Sequence, residues 1–379
     1  MPDFDRAAFG ELVTANLRPA LALRFDYGIL TNMVSTSGTA NGGSVTQSDS
    51  DALLQTGTAA DGIARMVSKK FLRYLPGMGG LLRFTAPMLD TAENSQHLAG
   101  IGDTLDGFFV GYRETQFGVM RRRGGVDKWT DITNPGFTPA YGHPLQIRFQ
   151  YLGYGAIIFE VERPGGYGAF THLHRIDYAG TAQQTSIMNP TLPAFFEVKN
   201  TGNTSNLRMK IGSVMAAVEG QPGGNVLNPL DFPHSFSRTA TWSNADNTLF
   251  MAITNPTTFN GRTNRVPLRM SSLNLGREAA GPKFSVIRLY KSPTLSGALT
   301  QAAIESGLSP ATSAVDAVTI TAGTAIRSYI LTNATTLLEA KFEPGEIVVY
   351  PGENMVVAVQ NAAATAGDIS ISTNWFDEL

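Results

Sequence analysis

The sequence predicts a mainly β chain: two antiparallel β-sandwich domains of jelly-roll type behind a short helical N-terminal arm. Segments with period-2 alternation recur from residue 51 to the C-terminus, Gly, Pro and Asn turn signals separate them, and no helical pattern intervenes. A length of 379 residues exceeds what one hydrophobic core usually serves, so two domains are expected.

The N-terminal stretch is the one helical exception. Between residues 5 and 17, Ala8, Phe9, Leu12 and Val13 recur at helical spacing behind an Asp placed to cap the first turn, and Pro19 ends the pattern. The polar run STSGTANGGSVTQSDSD that follows has no periodicity and reads as a connector. Residues 1–50 are therefore expected to form a docking arm, 51–225 the first sandwich and 226–379 the second. The break falls where Gly, Pro and Asn cluster in EGQPGGNVLNPLDFP.

Within the first sandwich, Leu145, Ile147, Phe149 and Tyr151 alternate with Gln146, Arg148 and Gln150, the signature of a strand with one buried face. Ile157, Phe159 and Val161 repeat the pattern beyond Gly153 and Gly155, which makes two strands joined at a glycine bend, and PGGYG at 164–168 marks a turn. In the second half, KFSVIRLYK, AIRSYILT, EIVVYPGENMVVAVQ and DISISTNWF read as strands. Ile369, Ile371, Thr373 and Trp375 share one face, so the last strand should be anchored in a sheet. No internal repeat joins the halves.

Composition narrows the function. Charged residues are 16% of the chain against roughly 25% in typical soluble domains, and 39 glycines accompany many Asn, Thr and Ser, which suggests a surface partly buried against other chains. A net charge of -2 gives no electrostatic footprint for nucleic acid or an anionic membrane. With no cysteine, disulfides, thiolate nucleophiles and Cys-based zinc sites are excluded. The N-terminus carries acidic residues where a signal peptide needs basic ones, and no stretch approaches the roughly 20 apolar residues of a membrane span. Folding in cytoplasm without membrane insertion is the expectation.

Several groups of side chains invite a chemical role. His172 and His174 flank Leu173, so on a regular strand both imidazoles project from one face and could hold zinc or nickel, but only two ligands are local. Arg121, Arg122 and Arg123 precede Gly124 and Gly125 and form the only dense basic cluster. The bland reading is a solvated strand end; the functional one is an inter-subunit contact to Asp103 and Asp106, or a contact to an anionic glycan. Asp103, Asp106, Glu114, Asp127 and Asp131 lie close in sequence but lack the spacing of a calcium loop, and sequence cannot show the cleft that glycoside hydrolysis needs. No phosphate loop and no nucleophile elbow occurs. Phe108, Phe109, Tyr112 and Phe117 read first as core, and as a functional alternative Phe109 and Phe117 would close a sheet seam while Phe108 and Tyr112 face a partner; Trp129, Tyr141 and Trp242 are the candidates for sugar stacking, with core as the equal alternative for each. No catalytic residue, metal or cofactor is called for.

One passage is more specific. Residues 96–125, QHLAGIGDTLDGFFVGYRETQFGVMRRRGG, and later FEVKNTGNTSNLRMKIGSVMAAVEG resemble virion structural proteins of tailed bacteriophages and of some large DNA viruses, in which such a GFFxGY and FGVxRR-GG block precedes a β-sandwich. KKFLRYLPGMGGLLRFTAPM looks like the strand pair that precedes the block in those proteins, with Tyr74, Pro76, Gly77, Gly79, Arg83, Phe84 and Thr85 matching, and 150–180 is similar to the segment that follows it. The C-terminal half matches more loosely. The resemblance implies a non-enzymatic virion component of the tail, baseplate or fibre, a symmetric homo-oligomer with a trimer favoured, and partners among other virion proteins. It implies a concanavalin-like or laminin-G-like first sandwich, with a host surface glycan as a further partner if the chain is an adsorption protein. Capsid decoration is the other placement, and a virion-associated glycan hydrolase is the weakest alternative.

Overall fold

The computed structural model describes residues 17–163, 165, 168–219, 231–278, 283–332, 337–343, 345–362 and 366–378, and among these the chain is all β, without a helix. The helix expected from residue 5, most of the 164–168 turn and the expected break within 220–230 lie outside the described residues. The chain divides into two compact units, Met1–Gly224 and Asn225–Leu379. Among the described residues no helix is long and apolar enough to cross a membrane.

With strands numbered in chain order, the first unit has two large antiparallel sheets. One runs β1 (Arg18–Arg24), β16 (Ser213–Glu219), β6 (Gly79–Thr85), β11 (Pro144–Gln150), β12 (Ile157–Glu162), β13 (Phe170–Ile176). The other runs β10 (Val126–Asp131), β9 (Gln116–Arg123), β8 (Gly107–Arg113), β7 (Ser95–Gly102), β14 (Leu192–Asn200), β5 (Ile63–Leu72), β2 (Val34–Ser35). A small third sheet joins β15 (Arg208–Ile211), β4 (Asp51–Gln55) and β3 (Ser44–Ser48).

Alternation sends one face of each large sheet into a shared core. Leu82, Phe84, Ile147 and Phe159 from the first meet Ala99, Ile101, Phe108 and Phe196 from the second. Phe84 and Phe196 pack edge to face at 5.8 Å between ring centroids, and Phe108 and Phe149 pack tilted at 50° with centroids 5.3 Å apart. Each such side chain removed from water contributes roughly 2 kcal/mol. The expected alternation of Leu145, Ile147 and Phe149 is present in β11, but Gln146 between them is buried as well, on the opposite face.

Two expectations are corrected here. The separate arm ending at residue 50 does not form: β1 pairs with β16, and Leu21, Leu23, Phe25 and Val34 belong to the first unit's core. The polar connector contains β3, a hairpin partner of β4 closed by Asp49 and Ser50 at φ of 55° and 67°. A two-residue turn that matches strand twist needs positive φ at both positions, which Asp tolerates because its short side chain bonds locally. No residue of β3 is fully buried, so no alternation announced it. Phe108, which the functional alternative turns towards a partner, is fully buried between the sheets, and Phe109 lies on the other side of β8. Adjacent phenylalanines must take opposite faces, and only the pairing register decides which goes inward.

The second unit repeats the plan with different sheets. One contains β17 (Asp231–Trp242), β31 (Gly367–Glu378), β21 (Leu268–Arg277) and β28 (Leu337–Lys341) in that order, with β29 (Val348–Val349) also on β21. The other runs β24 (Ala302–Ala303), β25 (Thr312–Ala314), β18 (Thr248–Thr254), β30 (Asn354–Asn361), β22 (Phe284–Lys291), β27 (Ala325–Thr332). Two small two-stranded sheets are also present, the hairpin of β19 (Thr258–Phe259) with β20 (Arg262–Thr263) and the more distant pair β23 (Thr294–Leu295) with β26 (Ile320–Ala322). The final strand β31 is internal, and Ile369, Ile371, Thr373 and Trp375 all point into the core as their spacing predicts. Trp375 is the largest fully buried side chain.

Several polar side chains are buried in the first unit, His97 among them. His97 on β7 is completely buried, its ring 6.1 Å from that of Tyr112, and among the described residues neither ring nitrogen has a hydrogen-bond partner. Burial holds its pKa down to about 4, with Asp90 pulling weakly the other way. The folded chain therefore keeps the ring neutral, while the unfolded chain takes up a proton near the ordinary value of 6.5. Stability is complete above pH 6.5 and falls as pH drops towards 4, by about 3 kcal/mol in total. Urea unfolding between these limits should show that loss, and His97→Leu should remove it; an equal loss in the variant would assign the acid sensitivity to other groups.

Candidate functional site

The three arginines are consumed inside the chain. Arg123 ends β9 at a Gly124–Gly125 turn, both at positive φ (57° and 79°), where a Cβ would be strained. Arg121 points to the inner side, donating to the Ser186 carbonyl at 3.2 Å with its guanidinium near the Tyr178 ring, and Arg123 donates to the Thr185 carbonyl at 2.8 Å. Arg122 points to the outer side. It makes a paired contact with Asp127 at 2.6 and 3.0 Å, donates to the Asp103 carbonyl at 2.9 Å, and lies over the Phe109 ring.

The carboxylates of this motif are equally committed. Asp106, almost fully buried, accepts from the backbone of Gly124 and Met188, and Asp103 accepts from the backbone of Leu105 and Asp106. The motif thus ties the β8–β9–β10 meander to the loop at 185–188.

The outer face of the seven-stranded sheet explains the remaining motif residues. Trp129, Met120, Phe109, Gly100, Phe195 and Val67 stand in one lateral row across six strands. Leu98, Phe109, Met120 and Phe195 there are at most 1% exposed although no further sheet pairs over them. Arginines cover them: Arg65 lies over Phe195 and pairs with Glu197, Arg122 over Phe109 with Asp127, and Arg113 over Trp129 with Asp131 at 3.6 Å. Guanidinium stacking on an aromatic face brings a charge to apolar surface without leaving it unpaired.

Of the stacking candidates, Trp242 is core, its indole N–H donating to the Val359 carbonyl, and Tyr141 is 69% exposed. Trp129 is half-buried, its ring against Gly118 and its N–H on Asp131 at 2.7 Å.

On the six-stranded sheet a polar chain crosses the outer face. Arg83 donates to Gln146, Gln146 to Glu160 at 2.7 Å, and Arg148 grips both oxygens of Glu160 at 2.9 and 2.7 Å. His172 stands opposite Glu160 and His174 opposite Phe159, with a register irregularity between them. That bulge breaks the regular alternation on which the two-histidine ligand reading rested. His174 has its pKa lowered by burial and by the nearby His172. Among the described residues no group of three His, Asp or Glu could hold a metal ion.

A constellation the sequence reading missed lies in the second unit. His234 on β17 faces inward beside Trp375, the rings stacked at 27° with centroids 5.9 Å apart. Its Nδ1 is 3.2 Å from Glu305 and its Nε2 3.1 Å from Asp377, and among the described residues neither nitrogen meets hydrogen-bond geometry. The Trp375 N–H donates to Asp377 at 3.0 Å. Burial raises the Asp377 carboxyl, opposed by its hydrogen bonds and by His234. Both ring nitrogens face carboxylates, which makes this a brace between β17, β31 and the loop at Glu305. Only the fold brings 234, 305 and 377 together; no spacing signals it.

No family model and no curated protein matches the chain. Among solved structures it is similar to a glycosyl hydrolase family protein from Mycobacterium fortuitum (9% identity, 53% of this chain and 100% of that one, TM-score 0.39). It is also similar to the Crh5 transglycosylase (11%, 56% and 90%, 0.38) and to a legume lectin-like domain from Entamoeba histolytica (12%, 53% and 98%, 0.34). These correct one expectation: the solved structures it matches include glycosyl hydrolases and a transglycosylase, so a non-enzymatic chain no longer stands as the reading of this fold. Likeness at this level carries no argument for a particular reaction.

Arg122→Leu should cost about 2 kcal/mol of stability in chemical denaturation, because it strands Asp127 and the Asp103 carbonyl. A loss under about 0.5 kcal/mol, the range of ordinary surface substitutions, would mean the cluster is the solvated strand end of the bland reading.

Proposed function

We propose that this chain is a structural component of a tailed-phage particle, in the tail, baseplate or fibre, built from two jelly-roll-like sandwiches and working as a symmetric homo-oligomer, with a trimer favoured. The motif resemblance suggests the setting. The observation that carries the assembly role is apolar surface on free sheet edges. Strand β27 is the outermost of its sheet and β28 the outermost of the other, and they present Ile326, Ile330 and Leu337 at 39%, 59% and 78% exposure, with Phe284 beside them at 43%. An exposed apolar edge is a liability for a chain that stays single, and one that a neighbouring copy covers. On this reading the protein resides in the virion and its neighbours are copies of itself and other virion proteins.

A second reading, a carbohydrate-binding adsorption protein, is favoured by the Trp129, Arg113 and Asp131 group, where an aromatic ring is ringed by exposed polar donors and acceptors.

Sedimentation of the purified chain should give a trimer mass, and Ile330→Asp with Leu337→Asp should give a monomer of unchanged circular dichroism. Immunogold labelling of parent particles should mark the tail end. A monodisperse monomer that leaves particles unlabelled would sink the assignment.

A further inference from the structure

We propose that the outer face of the five-stranded sheet in the second unit is a binding site for an uncharged glycan chain. The face is a lattice of short polar side chains. Ser237, Ser372, Asn274 and Glu339 form one lateral row across β17, β31, β21 and β28. Thr239, Ser370, Gly276 and Leu337 form the next. Together they line an open hollow of about 370 Å³, within the range of small-molecule sites.

Three features select the ligand. The floor is mainly hydroxyl and amide: Thr239 and Ser370 hydroxyls bond each other at 2.8 Å, Ser237, Ser372 and Asn274 face the hollow, and Arg238, which also lines it, commits its guanidinium to the Phe250 carbonyl and ring. The one acid, Glu339, lies at the outermost strand with Lys341 3.7 Å away, so the site offers nothing to hold a phosphate or a nucleic acid. Gly276 deepens the floor, since a Cβ there would come within 3.4 Å of the Leu337 side chain, and the 78% exposed Leu337 supplies apolar surface for the C–H face of a sugar ring.

Side chains in one row repeat at the strand spacing of about 4.8 Å, comparable to the length of one pyranose ring, so an extended glycan lying across the strands meets one polar side chain per sugar. A second protein chain is the poorer occupant, because interface cores are enriched in aromatics, Met and Arg and depleted of Ser. The proposal rests on the adsorption reading only for its biological setting, and it places the sugar on residues of the second unit and not on Trp129.

The test is calorimetric titration of the full chain with cellohexaose, maltohexaose, mannohexaose and xylohexaose, with an alginate hexamer as the charged contrast. Expected is binding of at least one neutral hexamer and not of alginate, weakened about tenfold or more by Ser372→Arg, which fills the hollow, and less by Asn274→Ala, with melting unchanged. Loss of binding in Trp129→Ala with Ser372→Arg unaffected would overturn the assignment while keeping the adsorption reading. Binding of none of the neutral hexamers would overturn it, as would a fall in oligomer mass in Ser372→Arg, which would make the face a subunit contact.

Discussion

The first unit depends on a sheet that is apolar on both faces. A seven-stranded sheet whose inner face packs on a second sheet ordinarily turns hydrophilic side chains outward. Here the outer row carries Phe109, Met120, Phe195 and Leu98, all removed from water. The cover is a set of stacked guanidiniums, each anchored by a carboxylate of the same sheet, on the neighbouring strand for Arg65 and Arg122 and two strands away for Arg113. Guanidinium suits this role better than ammonium because its planar, weakly hydrated face can lie on a ring while its edge donates hydrogen bonds.

That arrangement explains why the most specific block of the sequence is structural. Within residues 96–125 the phenylalanines fill both faces of β8, glycines admit backbones and rings that a Cβ would strike, and arginines and aspartates bind loops. Gly111 shows the constraint clearly: a Cβ there would stand 1.9 Å from the His97 carbonyl oxygen. A motif of this kind specifies a scaffold, and function must be sought on surfaces that the scaffold leaves open.

The second unit divides its surface differently. Its outer five-stranded face is short and polar, its free edges are apolar, and a buried imidazole held between two carboxylates ties a loop to the sheet. Burying a polar group without a partner is costly, and the indole N–H supplies one for Asp377. Association at the edges and ligand binding on the face share Leu337 at the rim of the hollow, whereas Ile326 and Ile330 belong to the edge alone and Ser237, Ser372 and Asn274 to the face.

Period-2 alternation in β11, β12 and β31 declared strands, their buried faces and the all-β class without any tertiary information, because side-chain direction in a strand is fixed locally. The Gly124–Gly125 turn was legible for the same reason. Other features were not local. Strand β3 has no buried face to betray it, so its pairing with β4 fixed it; Phe108 and Phe109 needed the register of β8 to be told apart; the arginines looked like a solvated cluster until the loop at 185–188 came against them. His234, Glu305 and Asp377 lie far apart in the chain, and the hollow on the five-stranded face draws on strands from 237 to 372. Sequence alone determined which residues could be strands and which faces they hide. Tertiary structure decided which polar groups meet, because pairing between distant strands is set by the summed burial of two sheets and leaves no periodic trace in either segment.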